Sequence, residues 1–205
     1  MPIKSDTLTK ERTRLKNYLE ASTYNKEESF IINRVKRKID KLEKEREEIL
    51  QKVIDIIESN KEYKKAYDNI RSITAVGKKS AAILLYLFLR YPNASRNQIV
   101  ALCGLDAIER ESGTSLKKKP KISKKGITLV RGNLFMPTLC SIQKNEELKA
   151  FYNRLVKRGK SKPTAIIATM RKMILLAHSL YKNDQTYDPK RYLQFTQTKK
   201  ENAVV

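Results

Sequence analysis

Between residues 32 and 56 the apolar positions recur at alternating steps of three and four: Ile32, Val35, Ile39, Leu42, Ile49, Val53 and Ile56. Arg46 stands where one further apolar residue is due. This is a heptad pattern, and it predicts a long helix with a continuous apolar seam. Ile32, Ile39, Arg46 and Val53 take one seam position, while Val35, Leu42, Ile49 and Ile56 take the other. Lys, Glu and Arg dominate the remaining positions, so the opposite face is solvated. The seam needs a partner. Leu8, Leu15 and Leu19 share a face over residues 7–20, and residues 22–25 offer a short polar break between the two helices. The first helix is expected to be about half as long as the second, which leaves much of the seam open. A second protomer or a further domain is expected to cover the rest, giving a homo-oligomer through the coiled coil. The alternative is a solvated helix packing on its own domain. Arg46 in the seam would fix register or oligomer state.

The pattern changes after Asn60. Residues 63–71 lead into Ile73-Thr74-Ala75-Val76-Gly77, and residues 78–90 then read as an apolar-rich helix with Lys78 and Lys79 at its start. Helix, glycine-containing turn and helix make the outline of a helix-hairpin-helix. In that motif Gly77 lets the turn approach a phosphate, and the first amides of the second helix donate to it. A hairpin that only packs two helices has the same outline; the lysine pair favours phosphate contact. Ser95 and Gln98 form the capping box of a short helix that Gly104 ends, with Ile99, Val100 and Leu102 as core. Residues 105–125 lack periodicity, are rich in lysine and contain Gly113 and Pro120. They predict a loop or a pair of short irregular strands. Helices resume at 127–143, bent or interrupted at Pro137, then at 146–158, ended by Gly159, and at 164–182, entered through Pro163. In the last of these Ile166, Ile167, Met170, Met173, Ile174, Ala177 and Tyr181 share helical spacing and form core.

The expected class is therefore mainly all-α. A long coiled-coil helical hairpin over residues 1–62 precedes a compact helical domain over 63–190, which carries the helix-hairpin-helix-like element and an irregular basic loop. Residues 191–205 are a loosely ordered tail.

Charge narrows the partners. The chain has 44 Lys and Arg against 22 Asp and Glu, a formal net charge of +22 and a pI near 10.0. Such an excess calls for a polyanion, with nucleic acid first. No membrane partner is expected: the longest apolar run, residues 81–89, is too short to span a bilayer, and the basic residues are not confined to one amphipathic face. Residues 1–20 are charged throughout without an apolar signal core, so a cytoplasmic, nucleoid-associated location is expected. Cys103 and Cys140 lie in apolar helical patterns and read as reduced core residues. No Cys/His cluster suits zinc, and His178, the single histidine, falls in a core-like helix. Neither a metal site nor a cofactor is expected in this chain.

Candidate chemistry concentrates around Leu102-Cys103-Gly104-Leu105, then Glu109-Arg110-Glu111-Ser112-Gly113, then a lysine run and Ile122-Ser123-Lys124-Lys125-Gly126. Ser112 is a hydroxyl nucleophile candidate beside Gly113, which permits close backbone approach; the alternative is a turn serine bonded to local backbone. Arg110, Lys117, Lys118, Lys119, Lys121, Lys124, Lys125 and Arg131 would hold a nucleic-acid backbone, supplying affinity without sequence readout. The alternative for the lysines is a solubilising surface.

These motifs, with Arg131, Leu148-Lys149-Ala150-Phe151-Tyr152-Asn153-Arg154, Arg171-Lys172 and Tyr187-Asp188-Pro189, resemble in order and spacing the Piv-like insertion-sequence transposases, the bridge-RNA-guided DNA recombinases. The resemblance covers roughly residues 10–190. It implies an enzyme with an N-terminal RuvC-like domain whose acidic residues bind Mg2+, a coiled coil, and a C-terminal domain whose serine attacks DNA and becomes linked to it. Ser112 matches that serine and Gly113 its neighbour. Residues 7–62 match the coiled coil, and the RuvC-like domain has no counterpart here. The family's partners, DNA and a structured guide RNA, are implied with it. A truncated or divided enzyme is the expectation, with little strand exchange from this polypeptide alone. A non-catalytic module for nucleic-acid binding and oligomerisation is the alternative. Two departures stand out: Ala75-Val76 where the family commonly has Pro-Gly, and Ile127 where it has Asn.

Overall fold

The structure, a computed structural model, describes the backbone of residues 2–25, 28–112 and 116–189, and their side chains except at 2–6, 109–112 and 116–120. Among the described residues there are eight helices and one small antiparallel sheet, so the chain is mainly all-α as its periodicity predicts. The backbone divides into two units, Met1–Ser59 and Asn60–Val205.

The first unit is a helical hairpin of α1 (Pro2–Tyr24) packed on α2 (Ser29–Ser59). Ile39 and Leu42 are buried as the heptad reading requires. Glu43 accepts from Arg12 and Lys16, each at 3.1 Å, and Lys38 reaches Glu11 at 3.2 Å. Lys16 first, then Arg12, hold the Glu43 carboxyl below its ordinary range. Such exposed pairs set pairing and register more than stability. Two expectations need correction. The first helix has 23 residues against 31 in the second, well over half. Toward the end of α2 the buried positions are Ile54 and Ile57, while Ile56 is 56% exposed. A straight helix drifts about 20° per heptad from a 3.5-residue repeat, about 40° over the two heptads from Leu42 to Ile56, which supplies part of the roughly 100° step from Ile56 to Ile57. Arg46 is half-buried, its Nε without a hydrogen-bond partner; burial, then Arg12, pushes its pKa below the usual value.

The second unit runs α3 (Lys61–Arg71), α4 (Lys78–Arg90), α5 (Arg96–Leu102), β1 (Ala107–Ser112), β2 (Leu116–Ile122), α6 (Thr128–Lys144), α7 (Glu146–Lys157) and α8 (Lys162–Asn183). Helix α8 is the hub and packs on α3, α4, α5, α6 and α7. Its Met170, Met173, Ile174, Ala177 and Leu180 are buried, and Phe88 of α4 sets its ring 5.2 Å from His178 and 5.3 Å from Tyr181. Local signals start the helices. Asn60 caps α3 by accepting from the amides of Glu62 and Tyr63, Ser95 and Gln98 make the predicted capping box of α5, and buried Asn145 caps α7 through Leu148 N at 3.0 Å.

Helix α6 runs through Pro137 without interruption. Proline removes the hydrogen bond to the carbonyl four residues back, that of Asn133. Ser80 Oγ donates to this carbonyl at 3.3 Å from α4 and so replaces the missing amide. The cysteine reading holds in half. Cys103 is buried, and burial pushes its thiol up to about 12. Cys140 is exposed: α6 is apolar on more than one side, and its outer face carries exposed Phe135 and Met136 as well.

After α8 the chain folds back. Asp184 takes a left-handed conformation (φ 50°) and accepts from Asn69 at 2.9 Å and from Lys65. Tyr187 N donates to Ser72 Oγ at 2.7 Å, and its hydroxyl accepts from Asn145 Nδ2 at 3.0 Å and donates to Glu147 at 3.1 Å. Glu147 is also paired with Lys172 at 2.8 Å, so this buried carboxylate is fully satisfied. The expected tail at 191–205 lies outside the described residues. Among those residues no helix is long and apolar enough to cross a membrane.

Candidate nucleic-acid interface

The lysine-rich stretch that predicts a loop or two short strands is an antiparallel ribbon, β1 paired with β2. Its register runs from Ala107↔Ile122 at the base to Ser112↔Leu116 at the far end. Between the pairs Ile108↔Lys121 and Arg110↔Lys118 there is one residue on β1 and two on β2, a bulge that takes in Pro120. Proline is tolerated there because a bulge frees its position from donating to the ladder. The register sets Glu111 across from Lys117 and Arg110 across from Lys118. Ser112 is the last residue of β1, about 16 Å along the strand from the base at roughly 3.3 Å per residue. Gly113 lies outside the described residues, as do the side chains of Arg110, Ser112, Lys117, Lys118 and Lys119.

The ribbon is anchored by a junction of backbone against backbone. Gly104 ends α5 with φ +62°, where a Cβ would stand 2.7 Å from both Gly126 N and the Arg131 guanidinium. At Gly126 a Cβ would stand 2.2 Å from Leu102 O and 2.3 Å from Gly104 N. Only glycine fits either place. The close approach is tied by Ile127 N to Leu102 O at 2.7 Å, Lys124 N to Gly104 O at 3.1 Å and Ser123 N to Asp106 O at 2.9 Å. Ser123 Oγ also donates to the Asp106 carboxylate. Arg131 donates to the carbonyls of Cys103 (3.2 Å) and Lys124 (3.5 Å) and to Thr128 Oγ1 (3.3 Å). Its guanidinium thus fastens the ribbon base, whereas Lys121, Lys124 and Lys125 are exposed around it.

A helix, a turn and a second helix stand at residues 61–90 as the sequence outlines. Ile73 and Val76 bury the turn, and Tyr67 Oη donates to the Lys78 carbonyl at 3.3 Å. Gly77 precedes α4 with φ −80° and open space where a Cβ would be, so a glycine's freedom is not needed there. The left-handed residue is Ala75, φ 77°. No side chain caps α4, and Lys78 is exposed at its start.

One stretch of chain therefore carries the turn, the ribbon, the glycine junction and the helices that hold them. Residues 67–153 match the family model of the IS116/IS110/IS902 transposases. Among curated proteins, the chain is 27% identical over 121 residues to the pilin gene-inverting proteins of Moraxella lacunata and Moraxella bovis. Each match takes in 58% of this chain and 38% of the relative. The transposase-like stretch runs from α3 into α7 and leaves α8 outside. His178 on α8 is 5% exposed, and its pKa is lowered by burial first, then by Lys182 and Arg96, in keeping with a core histidine. Among the described residues no group of His, Cys, Asp and Glu is placed to hold a metal ion.

Two features escaped the sequence reading. The mutual dependence of Gly104 and Gly126 is one. The other is a cationic groove of Arg96, Arg171 and Lys172, from residues 76 positions apart at the extremes, whose only warning is the adjacent pair on α8.

Proposed function

We propose that this chain is the DNA-engaging, serine-bearing part of a transposase, a protein that recombines DNA segments. The observation that carries this reading is the family match over the stretch that builds the turn, the ribbon and its glycine junction. Lys121, Lys124 and Lys125, with Arg110 and Lys117, Lys118 and Lys119 along the ribbon, hold the DNA backbone by counterion release. Gly77, Lys78 and Lys79 make a further phosphate contact at the start of α4.

Ser112 is the nucleophile in this proposal, and Gly113 lets a backbone come close. Its Oγ attacks a DNA phosphorus, a serine–phosphate bond forms, and the bond from phosphorus to the departing sugar oxygen breaks. The hydroxyl proton goes to a base and the departing oxygen takes up a proton. A phosphodiester is exchanged for a phosphodiester, so the strand can be rejoined without an outside energy source. A serine hydroxyl is a weak nucleophile until activated. His178 is buried beside Phe88 and is unsuited to that task. An acidic, Mg2+-binding RuvC-like domain in the complete enzyme would supply that activation. A structured guide RNA and self-association through the α1–α2 hairpin belong to the same proposal.

The test is Ser112→Ala in an enzyme that includes a RuvC-like domain, scored for a covalent protein–DNA adduct and for DNA binding. The adduct should vanish while binding is retained. An undiminished adduct would overturn the serine assignment; binding with no adduct from the unsubstituted protein would leave a non-catalytic nucleic-acid-binding module.

A further inference from the structure

A second basic surface lies in the Asn60–Val205 unit, away from the ribbon. Helices α5, α7 and α8 enclose an open groove of about 580 Å³ lined by Arg96, Arg171 and Lys172 on its charged side, with Phe151 and Ser179. Glu147 also reaches it, but this carboxylate is 4% exposed and already carries Lys172 at 2.8 Å and Tyr187 Oη at 3.1 Å. Its charge is therefore spent within the protein. Arg96 and Arg171 are exposed and make no ion pair or hydrogen bond among the described residues. Two guanidinium groups with all their donors available converge on one concave surface. Arginine's planar fork matches phosphate oxygens two at a time, and clustered arginines without acidic partners repel one another until an anion separates them. Phe151 forms an aromatic wall on which Lys172 Nζ stands 4.9 Å from the ring centroid and the Arg154 guanidinium 5.3 Å. The positive field extends inward: after burial, Lys182 and Arg96 are what lower the pKa of neighbouring His178.

We infer that this groove is a second phosphate-binding contact for nucleic acid, built from Arg96 and Arg171 and separate from the ribbon. The inference rests on the nucleic-acid reading above. Arg96 opens α5 and Gly104 follows its end, so the groove and the ribbon base are set at opposite ends of a seven-residue helix, about 10 Å apart along its axis. Duplex DNA carries one charge per roughly 1.7 Å of axis, so a single nucleic acid can meet both. Of the groove's cations, Arg96 lies within the matched stretch 67–153 and Arg171 and Lys172 lie beyond it.

The experiment uses the full chain with labelled duplex DNA and a labelled RNA hairpin, titrated by fluorescence anisotropy across a salt series. Arg96→Gln and Arg171→Gln should each lower the slope of log affinity against log salt by about 0.9 on duplex DNA, and the pair by about 1.8, weakening binding on the order of tenfold at moderate salt. Arg171→Lys should keep the slope and lose part of the affinity. Lys124→Gln with Lys125→Gln should lower the slope by its own amount and add to the groove double substitution. A loss confined to RNA would make RNA the occupant of the groove. An unchanged slope for both ligands, from variants that melt at the wild-type temperature, would overturn the inference and leave the proposed function standing. Failure of the unsubstituted chain to bind either ligand would overturn the proposed function and the groove with it.

Discussion

Replacing Gly126 by alanine adds one methyl group at the point where the ribbon returns to the helical body. The Cβ would stand 2.2 Å from Leu102 O, 2.3 Å from Gly104 N and 2.6 Å from the Leu102 carbonyl carbon. All three atoms are backbone, so no side chain can swing aside. The returning strand must retreat by about 1 Å to reach ordinary contact distance, and the bonds from Ile127 N to Leu102 O (2.7 Å) and from Lys124 N to Gly104 O (3.1 Å) go with it. Each contributes about 1 kcal/mol net, more where the freed group remains buried, and Cys103 and Leu105 beside them are completely buried. The expected loss is about 3 kcal/mol, read as the fall in urea midpoint at constant slope. Gly132→Ala is the control. Gly132 is an exposed residue within α6 with nothing within 4 Å of an added Cβ, so alanine there should stabilise by about 0.5–1 kcal/mol. Nucleic-acid affinity should fall for Gly126→Ala and hold for Gly132→Ala. A Gly126→Ala protein that unfolds within about 0.5 kcal/mol of wild type would refute the backbone-on-backbone junction.

Other consequences can be measured on the same protein. Ala75 holds φ 77°, a conformation that costs an L residue about 1 kcal/mol, so Ala75→Gly should raise the urea midpoint; a lower midpoint would count against that turn. A thiol reagent at neutral pH should titrate one cysteine, Cys140, quickly in the native protein and both after denaturation, because burial holds the Cys103 thiol up at about 12. Fast reaction of two equivalents would show Cys103 to be open. His178 has a folded pKa below the 6.5 of a free histidine, so the unfolded chain takes up the proton first as pH falls. Stability should be full above pH 6.5 and decline as pH falls from there toward the folded pKa, and His178→Gln should flatten that window; an unaltered pH profile would sink the assignment.

Helices were legible where local chemistry marks both ends. The Ser95–Gln98 capping box, the apolar run of α4 and the buried stripe of α8 each declare themselves within a single segment. What failed depends on distance in the chain. A heptad places Ile56 in the seam, yet the fold buries Ile57 and leaves Ile56 exposed, a shift that the drift of the backbone period from the sequence repeat supplies only in part. Pro137 predicts a break, yet α6 continues because Ser80, 57 residues earlier, supplies the lost hydrogen bond. Cys140 looks like core from its apolar neighbours alone, and only the positions of α4, α7 and α8 decide which side of α6 is covered.

The candidate site divides along the same line. Lysine density named the ribbon's cations, and the family resemblance named Ser112, but neither distinguishes a residue that meets the ligand from one that holds the ligand's platform. Arg131 illustrates the difference. By sequence it is one more cation after the lysine run, while in the fold it donates to three groups at the ribbon base and stands 2.7 Å from where a Cβ on Gly104 would be. Replacing a phosphate-binding cation lowers the salt slope and leaves stability alone. Replacing Arg131 by glutamine should do the reverse in large part, unfastening carbonyls of Cys103 and Lys124 and lowering the urea midpoint by about 1–2 kcal/mol, with a slope change smaller than that of Lys124→Gln. A variant with unchanged stability and a slope reduced by about 0.9 would return Arg131 to the nucleic-acid surface, where its sequence neighbours alone would put it.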